Sequence, residues 1–296
     1  FVIYGIGILL ILGGFIGMAH LMDRNAVQRQ EAMFNEQQAL QTFLAKQAMR
    51  DHIDDLITDA RLIAETAIPA FETGAQSRAE VTALLRLSYE MRKPEILGYL
   101  YLSAPDEIAL APLTASSHGE QARQLAQSWA AEHWAAIRQA TMDTPFVPPF
   151  YVTQELQAFG MFFPVRVEGT LHGALVLVGD FTPMVKRYIQ HMRSGQYGAA
   201  YLQDERGTVI YDHELEIIGK NVFETLHVDY PALIAVDRRM QSEADGADTY
   251  TFTVDRDNAQ IIRRKLIAWH TLSIGEQDLT VALSAPDTEI DEILLD

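Results

Sequence analysis

From residue 23 to residue 68 the chain contains neither Gly nor Pro, and Ala, Gln, Glu, Leu, Met and Arg dominate it. These residues lose little on entering a helix, so the run predicts one continuous helix. At the rise of an α-helix it reaches on the order of 65–70 Å, too long to lie across one small domain. Met49, Ile53, Leu56, Ala60, Ile63 and Ala67 follow one another in steps of four and three, which draws a narrow apolar seam along it. That spacing favours parallel pairing with a second copy of the chain, although Ala60 and Ala67 could equally pack on their own module.

Ahead of this helix, residues 1–22 carry no Asp, Glu, Lys or Arg. The run is long enough to span the hydrocarbon core of a bilayer, and Ala19-His20-Leu21 makes a poor cleavage site for a secretory leader. The expectation is a retained membrane helix that anchors the rest of the chain. Twenty-three Lys and Arg against 40 Asp and Glu leave a net charge of −17, which repels nucleic acid; no nucleic-acid partner is expected. There is no Cys, so disulfides, thiolate catalysis and Cys-based zinc sites are absent together.

Beyond residue 70 the periodicity changes. A helix is predicted over 77–91, ended by Pro94, followed by strands at 98–103 and 107–113 across a Pro105-Asp106 turn. A helical stretch over 118–140 carries Trp129 and Trp134, and strands come next at 150–153, 160–168 and 170–179. Thr182-Pro183 opens a further helix over 184–193. The pattern then starts again. Residues 199–203 and 208–212 form a hairpin across Asp204-Glu205-Arg206-Gly207, with Gly207 at a position that needs positive φ. A helical region over 222–241 and strands at 249–254, 261–272 and 278–284 complete the second round. Hairpin, helix and three strands thus occur twice.

The segment Asp204-Glu-Arg-Gly207-Thr-Val-Ile-Tyr211 with Ile218-Gly219-Lys220, and Lys265-Leu-Ile-Ala-Trp269 followed by Ala285-Pro286, resembles the Cache modules of bacterial receptors. Two such modules behind a long helix resemble a double Cache (dCache) extracytoplasmic sensor. The resemblance implies an α+β fold: a long N-terminal helix followed by two tandem PAS-like modules, each an antiparallel sheet with flanking helices. It divides the chain into a transmembrane helix (1–22), a stalk and dimer helix (23–70), a membrane-distal module (71–194) and a membrane-proximal module (195–296). It implies a homodimeric, periplasmic or extracellular ligand sensor held in the bacterial inner membrane. The output would be a histidine kinase, diguanylate cyclase or chemoreceptor outside this sequence, and the small-molecule ligand would sit in the distal module. No enzymatic activity is expected of this region; a membrane-anchored enzyme or a protein-binding scaffold is the alternative.

In amino-acid-binding members an Asp at the end of the last distal strand meets the ligand ammonium, and Asp180 holds the matching place. It could equally cap the helix at Thr182. Their Arg and Trp two residues apart, followed by Tyr, are missing: Arg123 and Trp129 stand six apart, so an α-amino acid in the distal module is not supported. Tyr99, Tyr101, Tyr151, Met161 and Phe163 remain as candidates to line a distal pocket, or as ordinary core. Such a pocket would be largely apolar with one acidic anchor, suited to a small cationic or aromatic ligand.

No cofactor or metal is expected. The His residues show no ligand spacing on one element, and His213-Glu214-Leu215-Glu216 is not a zinc helix. Asp204, Asp212 and Glu214 read as a solvated turn, with a cation site as the lesser alternative.

Overall fold

The computed structural model describes residues 2–111, 117–256 and 259–289, the first of them, up to residue 25, as backbone only. Helix α1 runs unbroken over Val2–Glu72. The uncharged run 1–22 falls in its backbone-only part, so the predicted membrane passage lies outside the described side chains. Among the described residues no helix is long and apolar enough to cross a membrane.

After α1 come α2 (Arg78–Arg92), β1 (Ile96–Ala104), β2 (Glu107–Leu110), α3 (Ser117–Gln139), β3 (Tyr151–Val152), β4 (Gln157–Val167) and β5 (Thr170–Asp180). The second round is α4 (Phe181–Tyr188), β6 (Arg193–Ser194), β7 (Gly198–Asp204), β8 (Val209–Tyr211), α5 (Pro231–Ser242), β9 (Asp245–Arg256), β10 (Ala259–Ile274) and β11 (Gln277–Pro286). Ser77 opens α2 with a capping box, its hydroxyl accepting from the Glu80 amide while Glu80 reaches back to the Ser77 amide. The helix predicted over 184–193 begins earlier, at Phe181, and stops at Tyr188, because Arg193 and Ser194 leave to pair with the edge of β7.

The repeat seen in the sequence is a repeat of topology. One sheet has the order β2-β1-β5-β4-β3; the other has β6-β7-β11-β10-β9, with β8 also on β7. Replacing β1 by β7, β2 by β8, β3 by β9, β4 by β10 and β5 by β11 turns one order into the other. Gly207 sits at φ 81° in the turn between β7 and β8, as that hairpin requires.

Both sheets rest on α1. Before the midpoint of α1, Glu31 forms a bidentate ion pair with Arg264, which holds the Glu31 carboxyl below its ordinary value. One turn on, Phe34 packs with Leu266 and Ala285. Next, the Gln38 amide donates to the Leu266 carbonyl, and Thr42 Oγ1 lies 2.9 Å from His270 Nδ1. From Ala45 onward the contacts become apolar: Met49, Ile53, Leu56, Ala60, Ile63 and Ala67 are all buried in one continuous core that holds residues of both sheets, among them Tyr99 and Met161 of the first and Leu272 and Val281 of the second. These six are the seam that the spacing assigned to a partner helix. That reading is corrected here, because their own chain covers them. The solvent side of α1 carries other apolar residues, among them Met33, Leu40 and Leu44.

Two measurements check this arrangement. Leu56→Ala removes a fully buried side chain and should cost about 2–5 kcal/mol in denaturant unfolding, whereas Leu62→Ala, on the exposed side, should change it by about 0.5 kcal/mol or less. His52 and His270 pack along α1, and burial pushes both below the ordinary imidazole value of 6.5. The unfolded chain therefore takes up protons near that value while the folded chain does not, so stability should fall as pH drops through it. Denaturation midpoints from about pH 7.5 to about pH 5.5 should show that loss, and His52→Gln and His270→Gln should each make it shallower.

Candidate ligand site

Strand alternation gives each sheet one face toward α1 and one face away from it. In the first sheet Tyr99 and Tyr101 of β1, Phe159, Met161, Phe163 and Val165 of β4, and Leu175 and Leu177 of β5 join the core under α1. Leu100, Leu102, Phe162, Ala174, Val176 and Val178 face the other way and pack with Ala126, Trp129 and Ala130 of α3. That second face is closely filled: a Cβ on Gly160 would come within 2.8 Å of the Trp129 ring. Both faces of the central strands are buried.

The six predicted lining residues do not come together. Tyr99, Tyr101, Met161 and Phe163 share one face as the alternation implies, but it is the face sealed by α1, and each is at most 1% exposed. The Tyr101 hydroxyl donates to the His172 carbonyl over 3.2 Å, and burial raises the pKa of Tyr99 and Tyr101 above the ordinary phenol value. Asp180 is the N-cap of α4, accepting from the Thr182 amide over 2.8 Å. Only Tyr151 stands at an open groove, of about 590 Å³, where Gln121 and Gln124 of α3 face Thr153, Gln154 and Glu155.

The second sheet offers a different situation. Register places Tyr201 of β7 beside Ala282 of β11, Ser284 beside Ile267 of β10, and Lys265 beside Tyr250 of β9. All lie on the face turned from α1. Helix α5 covers one end of that face through Val236 and Met240, which pack on Ile267, Trp269, Ala282 and Tyr250. The other end, with Lys265, Ser284, Tyr201 and Tyr250, forms the floor of a cavity of about 560 Å³. That volume is in the range of small-molecule sites. Its walls are the segment around Gln196 and Tyr197, the stretch from Asp212 to Ile217, and the π-helical turn Val222–Leu226.

The wall turn is built by Asn221, whose side chain caps the Phe223 and Glu224 amides and donates to the Arg206 carbonyl. Asp212 accepts from the Glu214 amide over 2.8 Å. Burial raises the Asp212 carboxyl above its ordinary value and lowers the Lys265 ammonium below its own, each opposed in part by the charge of the other. Burial likewise pushes the Tyr250 hydroxyl up to about 12. At the rim His227 Nδ1 lies 2.5 Å from Asp237 Oδ2. Asp237 is fully buried on α5, and its other oxygen has no hydrogen-bond partner among the described residues. Sequence reasoning passed over this cavity, because Lys265 directly follows Arg263 and Arg264 and nothing local sets it apart from them.

The cavity and the groove touch. The Gln154 side chain in the first-sheet groove donates to the Glu216 carbonyl in the cavity wall over 3.4 Å, and Gly219 lies against the backbone of Val152 and Thr153.

No family model matches the chain, and no curated protein matches it. Solved structures do. The ligand-binding domain of a Campylobacter jejuni chemoreceptor in complex with 4-methylisoleucine superposes with a TM-score of 0.61 at 10% identity, covering 89% of this chain and 94% of that one. The extracellular domain of a protein assigned as a histidine kinase, mmHK1S-Z2, gives 0.60 at 13% identity over 87% and 98%. An extracellular ligand-binding receptor from Desulfohalobium retbaense gives 0.54 at 16% identity; the match covers 84% of this chain and 40% of that receptor. In fold, the chain is a long helix followed by two tandem antiparallel sheet modules with flanking helices, an arrangement it shares with these extracellular domains.

Proposed function

We propose that the chain is the extracytoplasmic sensor region of a bacterial transmembrane receptor, which binds a small molecule and passes the event toward the membrane along α1. One observation carries this reading: two separate sheets, each with a face free to meet a ligand or a covering element, share one helix that begins in the uncharged run. Ligand capture that favours one seating of a sheet on α1 shifts the helix by an ångström or two, a step that receptors of this architecture can transmit. The fold shared with ligand-binding domains of chemoreceptors and a histidine kinase, one of them holding 4-methylisoleucine, supports a small-molecule input.

The membrane anchor is residues 1–22, and the working form is a homodimer. Met33, Leu40 and Leu44, exposed and spaced by seven and four residues, give α1 an apolar stripe on the side its own sheets leave open. The output module is a histidine kinase, diguanylate cyclase or chemoreceptor signalling domain.

A thermal-shift screen of the purified chain against amino acids, amines, organic acids and purines tests the reading. A ligand should raise the unfolding temperature with concentration, gaining about 2.7 kcal/mol at a hundred times its Kd. Spin labels on the exposed side of α1 should report a change in the same titration. Absence of any shift across the screen would instead favour the scaffold alternative.

A further inference from the structure

The cavity on the second sheet has an electrostatic make-up that the fold does not require. The corresponding face of the first sheet, under α3, is apolar: Leu100, Leu102, Ala174, Val176 and Val178 fill it. Here the face ends instead in Lys265 and Ser284, with Tyr201 and Tyr250 reaching the cavity from beneath the edge of α5. A charged and hydroxylated sheet floor under a cavity costs desolvation that an apolar floor would avoid. A polar ligand seated on that floor offsets the cost.

The charges define the kind of ligand. Arg193 and Lys265 line the cavity with Asp212 and Glu214, two of each sign, although the chain as a whole carries −17. An all-acidic lining would select a cation and an all-basic one an anion; a balanced pair at the floor selects a molecule that carries both. Lys265 on β10 is the cation set deepest in the sheet, while Asp212 enters from the wall beyond β8. Around them Ile217, Val222, Leu226 and Leu233 supply an apolar enclosure for a side chain or linker.

We propose that this second-sheet cavity is a ligand site for a small zwitterion, its carboxylate turned to Lys265 and its ammonium turned to Asp212. The assignment rests on the sensing reading above and moves the site from the distal module to the proximal one. A ligand held there presses on the wall from Asp212 to Ile217, whose neighbour Glu216 is tied to Gln154 of the first module. Occupancy of the proximal cavity thereby reaches the distal groove without a second ligand.

Calorimetric titration of the full chain with glycine, leucine, phenylalanine and γ-aminobutyrate tests the proposal, with isoamylamine and isocaproate as the two halves of leucine. At least one zwitterion should bind, and where leucine binds, each half should bind about tenfold more weakly or worse, the loss expected for one charged hydrogen-bonding group. Lys265→Met should weaken the bound zwitterion by about tenfold or more. Because that change could disturb the sheet, Ala199→Phe, which fills the cavity from β7 beside Ser284, serves as a second variant and should abolish binding. In the unmutated chain, hydrogen exchange should slow on binding over residues 209–226. Zwitterion binding that both variants leave intact, with protection confined to the groove at Tyr151, would overturn this site and leave the sensing reading standing. Binding of amines or acids alone would overturn the zwitterion. Failure of every compound, here and in the wider screen, would remove both readings.

Discussion

Two sheets with separate hydrogen-bond networks are held as one molecule chiefly by the buried side of α1. Hydrophobic burial is non-directional, so a helix can serve both sheets only if its apolar residues stay on one side while the sheets succeed one another along it. The chain meets that condition by changing chemistry partway. Glu31, Gln38 and Thr42 engage the second sheet through specific polar contacts, and Met49 through Ile68 join a buried apolar core shared by both sheets. The polar portion sets register and the apolar portion supplies most of the free energy, each fully buried aliphatic side chain contributing about 1.5–3 kcal/mol.

The two modules share a topology but have diverged in what lies under their outer helices. In the first, α3 closes down on the sheet, with Trp129 seated on Gly160. In the second, α5 covers only part of the face, and Trp269 instead packs beneath the helix, donating its indole N–H to the Glu243 carbonyl. The same plan thus gives one solid layer and one hollow layer.

Element order was legible in the sequence because each element carries its own local signal. The capping box at Ser77, the positive-φ Gly207 and the alternation along β10 depend on near neighbours. What could not be read was which side of a strand α1 would cover. A period of two tells that Tyr99, Tyr101, Met161 and Phe163 can share a face, and it is silent on what lies over that face. The seam on α1 failed for a related reason: steps of four and three suit a partner helix and the chain's own sheet equally well. Asp180 illustrates a third limit, since a carboxylate before a helix has a local use that needs no ligand. Lys265 was hidden for a fourth reason: it closes a run of three cations, and its neighbour on the same face, Arg263, gives it the look of an ordinary solvated strand end.

The order of strands within each sheet bears on how the chain is made. In both modules the strand that comes last, β5 or β11, lies inside the sheet, flanked by strands made earlier. Neither sheet can close until its final strand has left the ribosome or the export channel, and until then β1 and β4, or β7 and β10, each keep an unpaired inner edge. The first module has its whole sheet by Asp180 and can seat on α1 while the second is still being synthesised. Assembly is therefore vectorial: the far end of the spine is clothed first, and the sheet with the hollow layer is completed last.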